Sequence, residues 1–162
     1  MKTFAILMIV VVLAAAGLVG YGLFNTTLQV IGKDVQVFSA ESQPAQFEQL
    51  KVAVERNALI GTRLKNGLLS GAENYTYHVY TLRVKNPGLV DAQMVEMQIA
   101  PLGSDVLYYG ENGEVVIEAG QTRDIWCVLL TEGQTHDVRN MYITYYLWGH
   151  PCEVKFTYDN TI

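Results

Sequence analysis

The sequence predicts an all-β fold, an antiparallel β-sandwich preceded by one N-terminal transmembrane helix. Three observations carry that prediction. Phe4 to Phe24 is unbroken by charge. Beyond it, apolar and polar residues alternate with a period of two over many short stretches. Gly, Pro and Asn punctuate those stretches at regular intervals, as turns between strands do. The 162 residues divide into a transmembrane signal-anchor, 1–25, and an extracytoplasmic β-domain, 26–162.

At 1.5 Å per residue Phe4–Phe24 is about 31 Å long, enough to cross a hydrocarbon core. Lys2 and the amino terminus supply the only positive charge ahead of it, and no charge follows until Lys33. The positive-inside tendency therefore puts the N-terminus in the cytoplasm and the domain outside, a single-pass cell-membrane protein. A cleaved signal peptide is the competing reading. Lys2 is then the n-region, Phe4–Leu13 the h-region and Ala14-Ala15-Ala16 the cleavage site. Apolar character continues through Leu18, Val19, Leu23 and Phe24, which favours an uncleaved anchor. Ala16 and Gly20 have the small-xxx-small spacing at which two such helices approach closely.

Within the domain, Thr26–Phe38 reads as a strand interrupted at Gly32, and Ser39–Gln46 as a polar loop. The stretch "LKVAVERNALIGTRL" is read as a strand, because Leu50, Val52 and Val54 alternate with Lys51, Ala53 and Glu55. Phe47, Leu50 and Val54 also fit one helical face. Tyr75–Asn86 is a long strand dense in aromatic and β-branched residues. Asn86-Pro87-Gly88 ends it as a tight turn, with proline fixing φ and glycine supplying positive φ. Gln93–Ile99 then places Val95, Met97 and Ile99 on one face. Three later stretches repeat the pattern. Ile125, Cys127 and Leu129 share a face, Met141, Ile143, Tyr145 and Leu147 oppose Tyr142, Thr144, Tyr146 and Trp148, and Cys152, Val154, Phe156 and Tyr158 share a face.

The turns Lys85-Asn86-Pro87-Gly88 and Glu118-Ala119-Gly120-Gln121 carry a resemblance. This region, about Leu50–Thr131, resembles the Ig-like β-sandwich domains of microbial surface proteins, of the cell-adhesion-related bacterial and telokin-like types. The resemblance implies an Ig-like extracytoplasmic sandwich with a role in display or adhesion, and it brings no catalytic residues. Its motifs are turn chemistry and hence of low specificity.

With 11 basic and 16 acidic residues and a net charge of −5, the chain has no basic stripe for nucleic acid. Two sequons, at Asn25 and Asn74, matter only in a cell that glycosylates secreted proteins. Cys127 and Cys152 both fall on apolar strand faces in an oxidising compartment. They are candidates for a disulfide worth about 2–4 kcal/mol, the alternative being two separate thiols. A copper set of His78, Cys127, His136 and Met141 has the wrong spacing, and a zinc set of Cys127, His136, His150 and Cys152 lacks the usual C-x₂₋₄-C pattern. Asp105, Glu111 and Glu114 lie in Gly-rich loops where solvated acids are the default, so calcium is not backed. None of Ser39, Ser42, Ser70 and Ser104 sits in a nucleophile elbow. No catalytic, metal or cofactor site is expected.

The aromatics remain. Tyr142, Tyr145, Tyr146 and Trp148 are the candidate contact residues for a protein partner, for self-association or for a cell-wall glycan, the alternative being rings that fill both layers of the sandwich and its rim. The sequence thus points to a non-catalytic, membrane-anchored interaction or structural module at the cell surface. A carbohydrate-binding module is one alternative. Another is a filament or secretion-complex subunit assembled through the N-terminal helix.

Overall fold

The computed structural model describes residues 2–24, 27–111, 114–133 and 138–158. The Asn25 sequon and His136 lie outside them. Helix α1 spans Lys2–Phe24. Its Phe4–Gly22 portion is long and apolar enough to cross a membrane, and none of it is buried within the molecule.

Among the described residues, eight strands form two antiparallel sheets. Strands β1 (Gln29–Ser39), β2 (Thr62–Arg63), β3 (Tyr75–Lys85), β5 (Asp105–Gly110) and β6 (Thr122–Glu132) build a five-stranded sheet in the order β1-β3-β6-β5-β2. A three-stranded sheet, β4-β7-β8, takes β4 (Gln93–Ile99), β7 (Arg139–Leu147) and β8 (His150–Tyr158). The period-two patterns explain why the sheets meet. Leu82, Ile125 and Leu129 on the larger sheet share one core with Val95, Met97 and Ile143 on the smaller. Each such side chain, taken fully out of water, contributes about 1.5–3 kcal/mol.

Helix α2 (Pro44–Glu55) corrects the strand expected at Leu50–Val54. Phe47, Leu50 and Val54 are buried together, at helical spacing, whereas Val52 is exposed. The end signals outweigh the short alternation. Pro44 occupies the first turn, and Asn57 takes φ 55 just past the end. The buried stripe covers the far face of the larger sheet, against Tyr77, Leu107 and Leu130. The domain therefore has three layers, helix on sheet on sheet.

The strand expected to be interrupted at Gly32 is β1, and its pairing with β3 shifts register between Val30 and Gly32. The Asn86-Pro87-Gly88 turn carries the chain from the larger sheet to the smaller. Asn86 is fully buried there. Its Nδ2 donates to Val90 O (2.7 Å) and Ile117 O (2.9 Å), and its Oδ1 accepts from Gly88 N (3.0 Å). Asn86 N also donates to Gln121 O at 2.9 Å, and Gln121 N to Glu118 O at 3.0 Å, around Gly120 at φ 76. The two turns singled out in the sequence thus clasp one another.

Candidate functional site

The outer face of the three-stranded sheet carries most of the residues expected to make contacts. Strand pairing sets them in rows. Tyr146 lies between Gln93 and Pro151, Thr144 between Glu96 and Glu153, and Tyr142 between Gln98 and Lys155. Lys155 Nζ sits 5.5 Å from the centre of the Tyr142 ring, a cation–π contact that occupies one ring face. Met94 is exposed beside Tyr146, at a bulge where its φ is 52. Met94, Glu96, Tyr146, Pro151 and Glu153 line an open depression of about 440 Å³. The surface is apolar and aromatic toward Tyr146, with carboxylates flanking Thr144.

Trp148 lies at the tip of the β7–β8 hairpin and is 56% exposed. The two-residue loop Trp148-Gly149 has φ 50 and 78, the positive pair that a type I′ turn requires. Asn-Gly is the usual occupant of such a turn. A bulky residue in the left-handed region costs about 1–2 kcal/mol, so this indole is held in place at the expense of stability.

Tyr145 is a correction to the expected contact set. It is only 2% exposed and belongs to the inner face with Met141, Ile143 and Leu147. Its hydroxyl accepts from Leu28 N at 3.3 Å, tying β7 to the start of β1. Burial pushes its phenol pKa up, partly offset by that backbone hydrogen bond.

The bridge expected between Cys127 and Cys152 is not formed, and both thiols are free. They occupy different sheets. Cys127 is fully buried on β6, while Cys152 is partly buried on edge strand β8, its Sγ 3.7 Å from His150 O. Burial pushes the Cys127 thiol well above its ordinary pKa. His78 is buried with its Nε2 3.1 Å from Thr131 Oγ1.

One feature escaped the sequence reading. Arg139 and Asp105 form a buried ion pair, Nη1 to Oδ2 2.7 Å, with side chains 1% and 0% exposed. Asp105 Oδ2 also accepts from Leu102 N at 2.7 Å. Asp105 is thereby bound inward, away from the loop acids with which it was grouped. Arg139 shares its alternation phase with the buried Met141 and Ile143, which is the one signal in the sequence that could have found it. The pair closes the end of the two-sheet core where β1 finishes, because Asp105 is opposite Thr131, Thr131 opposite Thr76, and Thr76 opposite Ser39.

No family model matches the chain, and no curated protein matches it. Among solved structures, it is similar to a FixG-related protein from Vibrio parahaemolyticus. Identity is 14%, with 80% of this chain and 97% of that one covered, and the TM-score is 0.36. That likeness is too low to bear on function.

Proposed function

We propose that this chain is a non-catalytic, membrane-anchored interaction or structural module, with an Ig-like sandwich held outside the cell by α1. The observation that carries the reading is the unburied Phe4–Gly22 segment joined to a β-domain. A soluble protein leaves no such length of apolar helix in water, since each exposed side chain forgoes its transfer free energy. The outer face of β4-β7-β8 is the contact surface. Its mix of Tyr146 and Met94 with a rim of Glu96, Glu153 and Lys155 suits a protein partner or a second copy. Glycan stacking is less well supported, because Lys155 already covers Tyr142.

A photo-crosslinking residue in place of Tyr146, in intact cells expressing the full chain, tests the reading. A discrete protein adduct or a self-ladder is expected, with an intact mass that retains α1. Adducts to wall glycan alone would overturn it in favour of carbohydrate binding, and a mass lacking the first residues would remove the anchor.

A further inference from the structure

We propose that the Trp148-Gly149 hairpin docks the domain onto the membrane that α1 crosses, with the Trp148 indole in the lipid headgroup layer. The inference rests on the reading of α1 as a retained anchor and assigns the tip of the contact surface to lipid.

The fold decides which end of the domain faces the bilayer. Leu28 is buried in the core and held by Tyr145, so the end where β1 begins is fixed to the chain leaving α1. From Phe24 to Leu28 there are four Cα steps, which span at most about 14 Å fully extended. Strand β7 runs from the Arg139–Asp105 pair, at the end where β1 finishes, toward Leu28. Trp148 lies three residues beyond Tyr145 in that direction, about 10 Å farther along the strand. The hairpin therefore projects past the start of β1, at the end of the domain that the covalent connection keeps within reach of α1. The headgroup layer, about 5–8 Å deep on each side of the hydrocarbon core, falls within its reach.

The side chains at this end suit that layer. An indole pairs an apolar body with one N–H donor, the combination that concentrates at membrane interfaces. Leu89 lies at the same end and is 74% exposed. It sits in the turn that follows Lys85, the residue paired with Gln29 at the start of β1. That turn leads to Gln93, which pairs with Tyr146 next to the hairpin. Two exposed apolar tips at the tethered end, one of them in a strained turn, are explained by burial in a bilayer.

The chain has two tryptophans, so the full-length Trp126→Phe variant leaves Trp148 as the sole indole. The complementary Trp148→Phe variant leaves Trp126, exposed on the outer face of the larger sheet. Each is reconstituted in phosphatidylcholine vesicles with plain or brominated acyl chains, washed with concentrated salt at neutral pH and floated. Expected is co-flotation of both, loss of Trp148 emission in brominated vesicles with protection from aqueous iodide, and the reverse for Trp126. Flotation with Trp148 open to iodide and untouched by bromine overturns the docking and leaves the anchor standing. Protection from both quenchers also overturns it, pointing to a protein covering the tip. Bromine quenching of both indoles overturns it as non-specific insertion. Failure to float overturns the anchor and, with it, the tether on which the docking depends.

Discussion

Asn86 Nδ2 donates to the carbonyl of Ile117 at 2.9 Å, joining two turns 31 positions apart. The same amide group holds Val90 O, and the Oδ1 atom holds Gly88 N, so this one side chain fixes the corner where the chain changes sheets. Asn86→Ala leaves buried backbone groups without partners and is expected to cost about 2–3 kcal/mol. Asn86→Asp keeps the Gly88 acceptor but aims a carboxylate at two carbonyls, so it should cost at least as much at neutral pH. Urea unfolding of the detergent-solubilised chain measures both. An Asp variant as stable as the wild type would remove the donor role from Asn86.

The Arg139–Asp105 pair makes a different prediction, because its members are charged. Arg139→Met strands a buried carboxylate and is expected to cost about 3–5 kcal/mol. Adding Asp105→Asn removes the stranded charge and keeps an acceptor for Leu102 N. The double variant should regain most of the loss. If the two changes simply add, the residues are not coupled and the pair is not what holds that end closed.

Alternation phase made much of this legible. It set Ile125, Cys127 and Leu129 on one face, and Met141, Ile143, Tyr145 and Leu147 opposite Tyr142 and Tyr146. Tyr145 was expected to make contacts because of its ring, and the phase it shares with Ile143 is what buries it. The same rule, applied to Leu50–Val54, failed. Three residues satisfy a period of two and a helical face equally, and the deciding signals, Pro44 and Asn57, lie outside the run. Sheet membership was not legible either. Turn chemistry at Asn86-Pro87-Gly88 specifies a bend, but which sheet receives β4 depends on partners far along the chain, such as Ile143 and Met141. The Arg139–Asp105 pair spans 34 positions and two loops, so no local pattern joins its halves.

Alkaline pH probes the buried tyrosines. Burial pushes the Tyr80 phenol up to about 12, and burial raises Tyr109 and Tyr158 in the same direction. The folded state therefore keeps a proton that the unfolded chain releases near its ordinary value of 10. Stability is fully present below about pH 10 and is lost as pH rises toward 12. In Tyr80→Phe, the slope of unfolding free energy against pH between those limits should shrink by about 1.4 kcal/mol per pH unit. Urea midpoints collected from pH 9 to 11.5 give the slope, and an unaltered limb would assign it to the other phenols.

The free thiols should differ in reactivity. Cys127 is sealed between the sheets with its thiol held protonated, whereas Cys152 is partly open on an edge strand. Maleimide added to the native chain should give one adduct, at Cys152, and two after unfolding. A chain taking up no label in either state, and about 2 Da lighter, carries a bridge and contradicts the arrangement described above.

Trp148 offers the clearest separation of stability from function. In the left-handed turn it occupies, Asn is favoured over a bulky side chain, and Asn-Gly is the preferred type I′ pair. Trp148→Asn should therefore raise stability in detergent by about 1 kcal/mol. The loop keeps its length and its Gly149, so the β7–β8 register has no reason to change. If the indole serves only packing, removing it loses contacts and the variant is less stable, but at 56% exposure there is little packing to lose. A substitution that stabilises the domain yet loosens its hold on the vesicle surface would show that the sequence keeps a strained tryptophan for what it touches outside the molecule. A less stable variant with unaltered protease protection of the hairpin in vesicles would assign Trp148 to the fold instead.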